Sequence, residues 1–311
     1  METPQKKNWF SGPMLIVIAA FLWGIDGILR RSMGSLPPIT IVFYEHLVGF
    51  LILLPFIVKS FRTVKLTKKE WISIIFVALL SGLLGTLWFT MALLDTMFIS
   101  FSVVFLLQKL QPLFAITTAR IFLKEKMPKE YAPWAVLALV AAYFVTFKNG
   151  IINFHTGTQT MVAALLAVGA AFAWGTSTTF SKIALNDKPS DYITGLRFFF
   201  TIIFAFIGVL IFGQLGTAAA LNNSQAWTLI GIALTSGMVS LLIYYRGLKT
   251  TPVSVSTILE LFYPLVAVFI GIFMYHDVLA WSQYLAAAIL LYAMYRVGIL
   301  TNKANSIAGQ S

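Results

Sequence analysis

Cysteine is absent from the 311 residues, which removes disulfides and thiolate-bound metals from consideration. Charge is scarce as well. Asp, Glu, Lys and Arg together make up 11% of the chain, less than half of the roughly 25% found in soluble domains. No polar block large enough for a separate water-soluble domain interrupts the apolar runs. The three histidines, His46, His155 and His276, lie far apart, with no D-x-x-x-D or H-E-x-x-H spacing to suggest a metalloenzyme. A G-x-x-x-x-G-K-[ST] loop is also missing, and there is no room for a nucleotide-binding domain, so ATP-driven pumping within the chain is excluded. Neither a metal nor a cofactor is implied.

What remains is hydrophobic: 59% of the residues. A membrane-spanning helix needs ~20 mostly apolar residues, and ten such runs are legible, at 13–31, 38–58, 71–94, 97–119, 131–147, 160–181, 191–213, 226–245, 252–275 and 279–298. They predict an all-α integral membrane protein with ten transmembrane helices. The first run follows Lys6 and Lys7 as a signal peptide would. Asp26 interrupts it and no small-x-small cleavage site follows, so it reads as a retained span.

The net charge of +11 could attract nucleic acid, but in a membrane protein basic residues mark cytoplasmic loops. With the N-terminus inside, 17 Lys and Arg fall in inner loops. Three (Arg30, Arg31 and Lys148) fall outside, and Lys109 and Arg197 fall within spans. This bias predicts a multi-pass protein of the cell (inner or plasma) membrane with both termini cytoplasmic and no nucleic-acid partner.

The chain repeats itself. "AAFLWG" (19–24) returns as "AAFAWG" (170–175) at an offset of 151, and "SGLL" (81–84) meets "SGMV" (236–239) at an offset of 155. Pro112 meets Pro264, and Glu125 meets Asp277, each at an offset of 152. Matches in one order at a nearly constant offset indicate two homologous halves. The expected organisation is a cytoplasmic N-terminal segment (1–12), a five-helix repeat (13–150), a second, inverted five-helix repeat (160–300) and a flexible cytoplasmic tail (301–311). Five is odd, so the second half must enter the membrane from the opposite face, the recurrent plan of secondary transporters.

The Trp-Gly in the first span of each half, the proline followed thirteen residues later by an acidic residue in "FLKEK" and "MYHD", and "GLRFF" around Arg197 resemble the ten-helix EamA-type carriers of the drug/metabolite transporter superfamily. The likeness covers about 10–300. It implies two inverted five-helix repeats, a central cavity, and export or exchange of small metabolites such as amino acids or organic cations. The halves differ where Glu45 or His46 in the first stands against Arg197 in the second. The stretch from Ala92 to Pro112 is also three residues longer than that from Gly247 to Pro264.

An ionisable group inside a span costs at least about 2.5–3.5 kcal/mol, so it faces the bundle interior or a wet cavity. Asp26, Glu45, Lys109, Arg197 and Glu260 are therefore candidate substrate-binding residues. Trp23 and its repeat mate Trp174 join them, as does Tyr263, one turn beyond Glu260. An aromatic beside a carboxylate can grip an amine through charge and cation–π contact. Asp26, Glu45 and Glu260 are candidate proton carriers. The alternative is structural: Asp26 or Glu45 paired with Lys109, and Glu260 with Arg197. His46 points about 100° from Glu45 on a helix and reads as a satisfied polar residue. Glu125 and Asp277 are expected at helix ends in structural roles. Pro112 and Pro264 are expected to kink their spans midway, near the binding region.

The sequence thus predicts a secondary-active transporter of a small polar metabolite working by alternating access. Its partners are a small-molecule substrate, membrane lipid and, as a candidate coupling ion, the proton. Monomer and homodimer both stay open. The rival reading is a membrane-embedded enzyme acting on a lipid-linked or amphipathic substrate.

Overall fold

A computed structural model of the protein describes residues 11–94, 108, 110–126, 129–146, 148–150, 158–275 and 280–308. Among these, all regular structure is helical. The first half contains α1 (Gly12–Arg31), α2 (Pro38–Phe61), α3 (Lys68–Val77), a π-helical segment (Ala78–Gly85) that runs into α4 (Thr86–Leu94), α5 (Gln111–Thr118) with a second π-helical segment (Ala119–Leu123), and α6 (Tyr131–Thr146). The second half contains α7 (Thr158–Leu185), α8 (Ser190–Ile211), the short α9 (Leu215–Ala219), and α10 (Asn223–Ile232) joined through a π-helical segment (Ala233–Gly237) to α11 (Met238–Thr250). It ends with α12 (Val253–Leu259), a 3₁₀ turn (Glu260–Phe262), α13 (Tyr263–Tyr275) and α14 (Trp281–Ala308). The last helix therefore continues past the expected end of the tenth span at 298.

Six of these helical stretches are long and apolar enough to cross a membrane: Gly12–Arg30, Pro38–Phe61, Lys68–Ala92, Val162–Leu185, Ser190–Ile211 and Asn223–Thr250. Burial runs the way lipid, rather than water, dictates. Phe56, Leu165, Phe206, Ile211 and Phe273 are exposed, whereas Thr40, Thr90, Thr179, Thr194, Thr201, Ser240 and Ser256 are buried. Small residues let the helices approach. Ala135, Ala138 and Ala142 of α6 join Ala286, Leu290 and Ala293 of α14 in one core. At the crossing of α2 and α8, a Cβ on Gly49 would come within 2.2 Å of the Phe198 ring, so any larger residue there would have to displace that buried ring.

The repeat is visible in local structure. The third span of each half starts with a capping box, Thr67 with Glu70 and Asn222 with Gln225, and both boxes lie at the 155 offset. In each, the side chains of the cap and of the third helical residue satisfy one another's backbone N–H. Fourteen residues after each cap comes the repeated Ser-Gly, and in both halves it falls in a π-helical segment. A π-helical turn displaces backbone carbonyls from their usual i+4 partners. The freed Ser81 carbonyl accepts from Trp174 Nε1 (3.3 Å) and Thr86 Oγ1 (3.0 Å).

The helical path is irregular beside both prolines. Pro112 is the second residue of α5, and Pro264 the second residue of α13. Each lies in a first helical turn, where a missing N–H costs nothing. The irregularity comes just before the proline: a turn at Leu110 in one half and the 3₁₀ turn Glu260–Phe262 in the other.

Candidate functional site

The ends of these interrupted helices meet α1, α2, α7, α8 and the π-helical turns around a cavity of about 200 Å³. Trp23, Asp26, Glu45, Trp174, Arg197, Glu260 and Tyr263 all border it. Lys109 lies outside the described residues, as do His155, His276 and Asp277.

On α1, Asp26 and Arg30 stand one turn apart on the same face as Trp23. Arg30 Nε and Nη2 donate to the two oxygens of Asp26 at 2.9 and 3.2 Å, and Nη2 donates also to Glu45 Oε2 at 2.9 Å. Thr90 Oγ1 accepts from Nη1, and Ser236 Oγ donates to Asp26 Oδ1 at 2.6 Å. Arg30 is buried. The sequence suggests an outer-loop charge; in the fold it is the cation shared by Asp26 and Glu45. The i, i+3, i+7 spacing of Trp23, Asp26 and Arg30 already puts the three on one stripe of α1, and that stripe borders the cavity.

The expected alternative pairing of Glu260 with Arg197 does not form. Glu260 accepts from Tyr244 Oη (2.6 Å) and from Gln111 Nε2 (2.8 Å), the latter crossing from the first half to the second. Arg197 donates to Tyr245 Oη (2.9 Å) and Ser81 Oγ (2.8 Å). Neither Glu260 nor Arg197 makes an ion pair among the described residues. His46 also borders the cavity despite its 100° offset from Glu45. Its Nδ1 bonds to the Val42 carbonyl (2.8 Å) and its ring packs on Phe198 with centroids 4.8 Å apart. Aromatic pairs flank the space: Trp23 with Tyr244 (5.0 Å) and Phe89 with Trp174 (5.2 Å).

Sequence reasoning passed over Gln108, Gln111, Ser81, Ser236, Tyr244 and Tyr245, which border the cavity too. Two signals pointed to some of them. The repeated Ser-Gly carries Ser81 and Ser236, and the 152 offset makes Gln108 the mate of Glu260.

Glu125 takes the structural role expected of it. It follows Lys124, which turns the chain through a left-handed conformation (φ 54°). Its carboxylate accepts from the N–H groups of Val253 (2.8 Å) and Ser254 (3.1 Å), capping α12 of the other half. Tyr131 Oη donates to the Ser254 carbonyl. Lys182 Nζ reaches the Leu248, Lys249 and Thr251 carbonyls at the end of α11.

A bundle with an apolar exterior and a charged, aromatic-walled chamber within is the build of a multi-pass membrane carrier. A family model described as the EamA-like transporter family matches residues 10–147 and 161–298, and the chain belongs to that family, within the drug/metabolite transporter superfamily. A relative named riboflavin transporter ImpX, from Fusobacterium nucleatum, is 34% identical over 94% of this chain and 99% of its own. A relative from Pseudomonas aeruginosa named pseudopaline exporter CntI is 22% identical over 75% of each chain. A solved crystal structure matches the fold with a TM-score of 0.74 at 14% identity, covering 93% of this chain and 98% of that one. The protein is thus a transporter rather than an enzyme, which sets the rival reading aside, and a small molecule is its substrate.

Proposed function

We propose that the protein is a secondary-active exporter or exchanger that moves a small polar metabolite through the central cavity by alternating access. One observation carries this reading: a single chamber, bordered by both family repeats, gathers Asp26, Glu45, Arg197 and Glu260 away from an apolar exterior. The reading includes ten spans in two inverted five-helix repeats, at 13–150 and 160–300, and both termini in the cytoplasm of a cell-membrane protein. The odd span count per half and the Lys/Arg bias support it. Matched capping boxes and π-helical turns support equivalent roles for the two halves. Helices interrupted just before Pro112 and Pro264 support a binding region there. Lys109 stays a proposed lining residue.

The name of the Fusobacterium relative makes riboflavin the first ligand to try. An amino acid or organic cation is the second reading, favoured by the charge balance. The three carboxylates on the wall, Asp26, Glu45 and Glu260, outnumber the two guanidinium groups there, Arg30 and Arg197, by one negative charge that a proton or an ammonium group can neutralise. The same balance makes these three carboxylates the candidate proton carriers.

Reconstitution of purified protein into sealed liposomes tests the reading, with labelled riboflavin, amino acids and amines inside and an imposed pH gradient. Glu45→Gln and Glu260→Gln are each expected to cut flux to about a tenth or less, the loss of a charged hydrogen-bonding group, with expression near that of the parent. Parent-like flux in both variants would remove the site assignment and leave the family untouched.

A further inference from the structure

Two guanidinium groups border the cavity, and the fold treats them oppositely. Arg30 is held by two carboxylates. Arg197, only 8% exposed, is held by two neutral hydroxyls, Ser81 Oγ and Tyr245 Oη. No carboxylate lies within ion-pair distance of it among the described residues, and its Nε has no hydrogen-bond partner. Hydroxyls fix the plane of a guanidinium but cancel none of its charge, and a buried cation with no carboxylate bonded to it is costly. Such a group is tolerated where it serves a ligand.

A second observation points the same way. Gln108 stands where the repeat places Glu260 in the other half. It too is buried on the cavity wall, and its Nε2 has no partner among the described residues. The acidic groups, by contrast, are engaged: Asp26 and Glu45 by Arg30, Glu260 by Tyr244 and Gln111. Among the described residues, unpartnered N–H donors thus face the cavity from both halves, on a wall that also carries the pairs Trp23–Tyr244 and Phe89–Trp174.

Within the transport reading above, on which this rests, the geometry points to Arg197 as the anchor for an oxygen atom of the transported molecule, with Gln108 as a second donor. The substrate class is a flat conjugated compound bearing ring-carbonyl or carboxylate oxygens. A cation lacking such oxygens is disfavoured. A site built from buried donors rejects ligands that leave those donors unpaired.

The test compares three probes on the full chain purified in detergent: riboflavin (uncharged, ring carbonyls), tryptophan (a carboxylate on an aromatic) and N-methylquinolinium (an aromatic cation with no oxygen). Binding is read from the shift in unfolding temperature and by titration. At least one oxygen-bearing probe is expected to bind more tightly than N-methylquinolinium. Arg197→Lys, which keeps the charge but loses the planar fork, and Gln108→Leu are each expected to weaken that probe, Arg197→Gln by about tenfold or more. Tighter binding of N-methylquinolinium overturns the inference. So does parent-like affinity in both Arg197→Lys and Gln108→Leu, or the failure of both oxygen-bearing probes to bind. Counterflow in liposomes separates the two levels. A cation carried equally well by parent and Arg197→Gln leaves the transport reading standing and removes the anchor. An oxygen-bearing probe that binds but never crosses leaves the anchor and removes the transport reading.

Discussion

Arg30 is the residue on which the cavity's electrostatics turn. Removing one partner of a buried ion pair leaves an uncompensated charge, at about 3–5 kcal/mol, and here two carboxylates would lose their partner together. Arg30→Gln is expected to lower the unfolding temperature in detergent sharply, and adding Asp26→Asn should recover part of the loss. Equal stabilities for parent and Arg30→Gln would show that another group neutralises Asp26 and Glu45. The location of the charged residues was legible because a carboxylate or guanidinium in an apolar run must face polar ground. Their partners were not. Arg30 adjoins Arg31 at a helix end and counts as an outer charge until the fold brings Glu45 of α2 to it. Gln108, Gln111 and Tyr244 escape notice for a different reason: amides and phenols carry no charge to mark them out within a span, yet two of them satisfy Glu260.

Helices were legible as spans because length and apolarity alone define them. α1, α2 and α8 begin and end within a few residues of the predicted limits. Interruptions were harder to read, since a proline in sequence looks the same whether it breaks a helix or opens one. The first-turn positions of Pro112 and Pro264 depend on irregular turns before them, which no composition signals. At this scale Glu125 is the most testable contact, because it caps α12 from outside that helix. Glu125→Ala should destabilise the protein by about 1 kcal/mol, the usual loss on removing a cap, measurable as a modest fall in unfolding temperature. Gly49→Leu should be far worse. Its side chain would have to occupy the space of the Phe198 ring, so the variant is expected to misassemble, seen as aggregation on gel filtration.

Over the whole molecule, the contacts that matter most run from one family repeat to the other. Gln111 bonds to Glu260, Ser81 to Arg197, Ser236 to Asp26, Thr118 to Thr179, and Glu125 to the start of α12. The sequence announced the duplication but not this interlocking, because offsets record ancestry and say nothing about which copy completes the other. Divorced from its sibling, each copy would be left with dangling commitments. The front piece would lose the serine on its aspartate, and the rear piece would lose what steadies its arginine, its glutamate and a helix start. Fragments 1–150 and 158–311, produced separately, should therefore be degraded in the cell. Made together, they should rescue one another and copurify. The duplication has given up the self-sufficiency of a single copy, leaving two lobes that persist only as a couple.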